Sequence, residues 1–156
     1  MKTEIQKIRR MLILFIVLLA LSGITAFPLR TEINFLISNL SAFPLALQNW
    51  ISQLDQCLKQ TPDVILYGTD WLAFSHLVIS LFFIGVYIDP VKNKFNVLAG
   101  IIACLSIFPL AFIMGPIRGI PFFHQLIDCS FGVFGCIPLI IIYKKIKKIE
   151  NAKINY

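Results

Sequence analysis

Residues 95–114 read FNVLAGIIACLSIFPLAFIM, a run without one Asp, Glu, Lys, Arg or His. A helix rises about 1.5 Å per residue and needs about 20 apolar residues to cross a hydrocarbon core of ~30 Å. This stretch has that length. Similar apolar runs lie at 11–27, 71–88 and 122–143. Four of them predict an all-α polytopic membrane protein, a four-transmembrane-helix bundle forming a single membrane domain over residues 1–156. Hydrophobic residues make up 58% of the chain and charged residues 14%. With a mean hydropathy of +0.82, that is more apolar surface than one soluble core of this length can hide.

The net charge of +6 does not point to nucleic acid, because the basic residues gather at the ends of apolar runs instead of alternating with aromatics on a helix face. On one side fall Lys2, Lys7, Arg9, Arg10, Lys92, Lys94, Lys144, Lys145, Lys147, Lys148 and Lys153; on the other only Arg30, Lys59 and Arg118. Translocating basic loops is disfavoured, so the richer side is cytoplasmic. Both termini then lie inside, as does the tail 144–156, while the long loop 28–70 lies outside. The basic tail also suits anionic head groups. Short loops suggest a bacterial inner membrane. The run 11–27, preceded by Lys7, Arg9 and Arg10, resembles a signal peptide, but its small-residue site is weak and a retained anchor is expected.

The outer loop carries helical periodicity. Leu47, Trp50, Ile51, Leu54 and Leu58 share one stripe, with Gln48, Gln53, Asp55 and Lys59 largely elsewhere. This predicts an amphipathic interfacial helix between Pro44 and Pro62, preceded by a shorter one at 32–40. Pro109 and Pro138 should bend the third and fourth spanning helices. Ala99 with Ala103, Gly100 with Cys104, and Gly132 with Cys136 and Gly135 predict a tight seam between those helices, because close backbone approach drives packing in lipid. Cys104, Cys129 and Cys136 read as packing residues. Cys57 is expected to pack on the apolar side of its helix.

Ionisable groups inside a bilayer are expensive, so His76 and Asp128 stand out. At ~1.5 Å per residue His76 lies roughly 7 Å beyond Trp71 and Asp128 roughly 9 Å beyond Phe122, similar depths in the outer leaflet. His124 is one helical turn before Asp128, and Ser80 one turn after His76. Arg118, in the turn GPIRGIP, is expected to reach back and pair with Asp128, while His76 bonds across the bundle. Asp70 reads as an N-cap of the second spanning helix, with Thr69 as the alternative cap. Two imidazoles could instead ligate haem b between the second and fourth helices. His76, His124 and Asp128 could also hold a divalent metal, with Asp70 or Cys57 as a further ligand.

Two blocks, YGTDWLAFSH at 67–76 and GPIRGIPFFHQLIDCSFGVFG at 115–135, resemble a family of small uncharacterised bacterial membrane proteins with four helices. The resemblance covers most of the chain and implies membrane class; it transfers no activity and no catalytic residue. No nucleotide-binding loop or hydrolase spacing is present in the sequence. The expected role is therefore non-enzymatic: binding, sensing or an accessory to a membrane complex, with no cofactor and no nucleic acid. A polar cluster of His76, Asp128, Arg118, His124 and Asp70 would face a membrane protein partner, a lipid or a quinone. The competing class is a small redox protein with haem or metal on His76 and His124.

Overall fold

The computed structural model describes residues 2–154. The side chains of Lys2 and Lys153, counted above for orientation, lie outside the described residues, as do Asn155 and Tyr156 of the tail. All regular structure among the described residues is helical. In order come α1 (Lys2–Ala26), α2 (Leu29–Ser38), α3 (Leu45–Gln60), α4 (Asp63–Ile88), α5 (Lys94–Ile117) and α6 (Phe122–Ile154), with a short 3-10 turn (Leu40–Ala42) between α2 and α3. The chain is all-α, and α1, α4, α5 and α6 are long and apolar enough to cross a membrane. Large apolar side chains face outward on these helices; Leu72 is 68% exposed and Phe134 73%. Water penalises such a surface at roughly 25 cal/mol per Å², whereas lipid does not.

Contacts divide the chain into two compact units, residues 1–18 with 80–156, and residues 19–79. In the first unit Ile8 and Leu12 of α1, Val86 of α4, Val97 of α5, and Leu139 and Ile142 of α6 are fully buried. α5 and α6 pack along a seam of small residues. A Cβ on Gly132 would stand 2.8 Å from the Cys104 carbonyl oxygen, and one on Gly135 would stand 2.9 Å from the Cys104 Sγ. Only glycine lets these backbones come so close. Ala99 and Ala103, expected in the seam, are exposed on another face. Cys129 and Cys136 are buried and Cys104 half-buried, whereas Cys57 is exposed instead of packed. α5 runs through Pro109 and Pro116, and α6 through Pro138, without interruption.

One end of this unit is tied by charge. The Arg9 guanidinium donates from Nε to the Tyr87 carbonyl at 3.0 Å and from Nη2 to the Ile88 carbonyl at 3.2 Å, and lies 5.2 Å from the Tyr87 ring centroid. It thus satisfies orphan carbonyls at the negative end of α4. Lys94 of α5 binds both carboxylate oxygens of Glu150 on α6, at 2.6 and 2.8 Å. Glu4 of α1 accepts from Lys145 of α6 and from Lys7.

In the second unit α2 and α3 pack together. Ile33 and Ile51 are buried, at 8% and 3% exposure, and Leu47, Trp50, Leu54 and Leu58 are half-buried, so the expected amphipathic stripe is real. α3 lies between Pro44 and Pro62 as expected. α2 starts earlier than residue 32 because Pro28 offers its carbonyl to the Glu32 amide at 3.0 Å, closing a first turn in which a proline costs nothing.

Candidate functional site

The second unit holds Asp70 and His76, both on α4. That helix begins at Asp63, directly after Pro62, whose carbonyl accepts the Ile65 amide at 3.0 Å. Asp70 therefore lies inside the helix and caps nothing, contrary to expectation. Thr69 is no cap either, since its hydroxyl donates back to the Leu66 carbonyl at 2.6 Å. Composition hid this turn: Tyr67, Gly68, Thr69 and Asp70 do not look like a membrane span, yet Pro62 and Asp63 are a proper helix start. Asp70 is half-buried and lines an open cleft of about 220 Å³ with Phe27, Arg30, Asp63 and Thr69.

His76 is half-buried. Its Nδ1 lies 3.1 Å from the Leu72 carbonyl one turn back on its own helix, so the bond expected across the bundle is a local one. An N–H at Nδ1 donating to that carbonyl leaves Nε2 with its lone pair, the arrangement of a ligating imidazole. A Cβ on Gly23 would stand 2.7 Å from the Ala73 carbonyl oxygen and 3.0 Å from the His76 Cβ. The backbones of α1 and α4 thus approach beside this histidine.

The first unit holds Arg118, His124 and Asp128. α5 ends in a glycine-dependent stop: the Ile120 amide donates to the Gly115 carbonyl at 2.9 Å, and the Gly119 amide to the Pro116 carbonyl at 3.1 Å. Gly119 takes φ of 68°. These are the paired bonds of a Schellman cap. Gln125, 5% exposed, donates from Nε2 to the Ile120 carbonyl at 2.8 Å. Its amide fills the space a Cβ on Gly115 would claim, only 2.5 Å away. Gln125 is not ionisable, and its signal in the sequence is an amide inside an apolar run, which must find a partner.

Arg118 occupies the C-cap position and is exposed. It forms no ion pair with Asp128 among the described residues, contrary to expectation. The Schellman bonds satisfy the turn without the guanidinium, and an exposed guanidinium keeps its hydration. Asp128 instead has His124 as its neighbour, with Nε2 and Oδ1 separated by 3.9 Å. That is beyond hydrogen-bond range, and it is an ion pair only with a protonated imidazole. Both side chains are part-exposed, 36% for His124 and 46% for Asp128. Within each unit, no three His, Cys, Asp or Glu side chains among the described residues gather as a ligand set.

No family model, curated protein or solved structure matches the chain. Its function is read from its own residues.

Proposed function

We propose that the chain is a multi-pass protein of the cell membrane with both termini cytoplasmic, acting as a non-enzymatic partner or accessory of a membrane complex. One observation carries this reading: His124 and Asp128 stand part-exposed on α6, Asp128 roughly two turns into its apolar run. A carboxylate facing lipid costs roughly 2.5–3.5 kcal/mol near the bilayer centre. Among the described residues of its unit the ion-pair neighbour of Asp128 is His124, at 3.9 Å, and a polar group from outside the chain would add to that compensation. A neighbouring transmembrane helix, a lipid headgroup or a quinone offers such a group, and a membrane protein fits best because Phe131, on the same helix face as the pair, adds exposed apolar contact area.

The test is site-specific photo-crosslinking from position 131 in membranes, comparing the native chain with Asp128→Asn. A discrete cross-linked product that the substitution weakens supports the reading. Lipid adducts alone, equal in both proteins, overturn it. Reporter fusions near Lys59 and after Tyr156 check the orientation, the second being expected inside.

A second reading draws on His76, whose Nδ1 lies 3.1 Å from the Leu72 carbonyl, so that a neutral ring protonated at Nδ1 would present Nε2 as a ligand. Its imidazole would then ligate haem b or a metal ion. A Soret band or stoichiometric metal in the protein purified in detergent would select this reading over the first.

A further inference from the structure

α2 and α3 bury Ile33 and Ile51, yet beside this apolar contact they also set polar side chains around a gap. Arg30 and Asn34, one turn apart on α2, and Asp55, Leu58 and Lys59 of α3 line a cleft of about 250 Å³. Asp55 is only 13% exposed at its side chain and takes Lys59 at 2.6 Å; Arg30 pairs with Asp63 at 2.9 Å. Helices that own an apolar stripe gain nothing in packing by turning four polar side chains around a common gap. The gap is smaller than the ~300–1,000 Å³ of pockets for drug-sized molecules. It suits a small group, and its lining of Arg30, Asn34, Asp55 and Lys59 favours a polar, charged one over an apolar ring.

Chain length sets the depth of this cleft, given the reading of α1 and α4 as membrane spans. Arg30 follows the last residue of α1, Ala26, by four positions, and Lys59 precedes the first residue of α4, Asp63, by four. At up to ~3.6 Å per residue neither can lie more than about 14 Å from a span's end. Both sit at the level of the head groups. The charges there balance, Arg30 and Lys59 against Asp55 and Asp63, so a purely anionic group meets a poorly solvated carboxylate and a purely cationic one meets a guanidinium. A group carrying both signs satisfies all of them.

We propose that the α2–α3 cleft binds the headgroup of a zwitterionic lipid, a phosphate ester bearing a primary ammonium. The phosphate accepts from the Arg30 guanidinium, the Lys59 ammonium and the Asn34 amide, and the ammonium donates to Asp55. A trimethylammonium headgroup has no N–H to offer Asp55, and a glycerol headgroup has no cation. Phosphatidylethanolamine meets the whole set without adding a further anion beside Asp55.

The test titrates the full-length chain in detergent with phosphatidylethanolamine, phosphatidylcholine or phosphatidylglycerol and counts bound lipid by native mass spectrometry. Phosphatidylethanolamine should be retained best. Asp55→Asn should weaken it by about tenfold, the loss of one charge-assisted hydrogen bond, and bring it level with phosphatidylcholine. Arg30→Gln should weaken all three. Asn34→Ala, at an exposed position, should lower retention while leaving helicity by circular dichroism intact, which guards against misfolding of the charge variants. Equal retention of the three lipids by the native chain overturns the proposal, as does an ethanolamine preference that survives Asp55→Asn. Displacement of the lipid by soluble phosphoethanolamine at equal concentration overturns the lipid source. Failure of the membrane reading appears separately, in the reporter fusions.

Discussion

The two ends of the first unit handle charge in opposite ways. At the basic end Arg9, Lys94 and Lys145 each find a partner on another helix, far away in sequence: the α4 carbonyls, Glu150 and Glu4. At the end where α5 turns into α6, the turn is closed by neutral groups, the Schellman amides and Gln125, while Arg118 is exposed and Asp128 lies 3.9 Å from His124, one turn back on its own helix. Charge at the basic end is consumed in holding helices together. Charge at the turn end stands wholly or partly exposed, where another molecule can reach it. Burial of an ion-pair member in structure and its availability for recognition exclude each other, which is why the functional reading rests on the less tied end.

This contrast can be attacked by substitution, beginning with the seam that joins both ends. Gly132→Val drives side-chain atoms into the Cys104 carbonyl, which as backbone cannot swing away; a loss of about 3 kcal/mol, at the top of the overpacking range, is expected in detergent thermal unfolding. A neutral outcome there would mean that α5 and α6 do not approach as described. Next comes Arg9→Leu, which strips two charge-assisted bonds from the α4 terminus and should cost roughly 1.5–3 kcal/mol. Arg9→Lys should restore only part, because an ammonium lacks the fork that reaches two carbonyls.

A double-mutant cycle of Lys94→Gln and Glu150→Gln should give coupling of about 0.5–1 kcal/mol, since the pair is part-exposed, and the coupling should shrink as salt rises. The matching cycle at the other end, Arg118→Gln with Asp128→Asn, should be additive within about 0.3–0.5 kcal/mol. Coupling at Arg118 and Asp128 as strong as that at Lys94 and Glu150 would erase the difference between the ends.

The spanning helices were legible because lipid imposes one simple demand, a long stretch of side chains that need no water. Their limits were less so. α4 starts at Asp63, ahead of the apolar run, and α6 continues to Ile154, past Tyr143, because intrahelical hydrogen bonds continue where hydrophobicity stops. The amphipathic α3 and the glycine seam also followed from periodicity and residue size. Ala99 and Ala103 did not, since a small side chain suits a lipid-facing surface as well as a seam.

The candidate site was legible as a set of residue types and not as a set of partners. His76, His124 and Asp128 are unusual wherever they fall in an apolar run, and His124 with Asp128 share a face by helical spacing alone. Whether Arg118 pairs with Asp128 depends on how the turn between α5 and α6 is closed. That was decided by Gly115, Gly119 and Gln125 together, a hydrogen-bond set that exists only once two helices are side by side.

Sequence alone therefore determined the solvent of each segment, because transfer free energy depends on a residue's own chemistry and on its neighbours along the chain. The tertiary structure decided which charges are spent on cohesion and which are left over: Arg9 on the end of α4, Lys94 on Glu150, Asp55 and Arg30 around a common gap. Pairing depends on distances of a few ångströms between segments remote in sequence, and residue spacing along one helix carries no information about those distances.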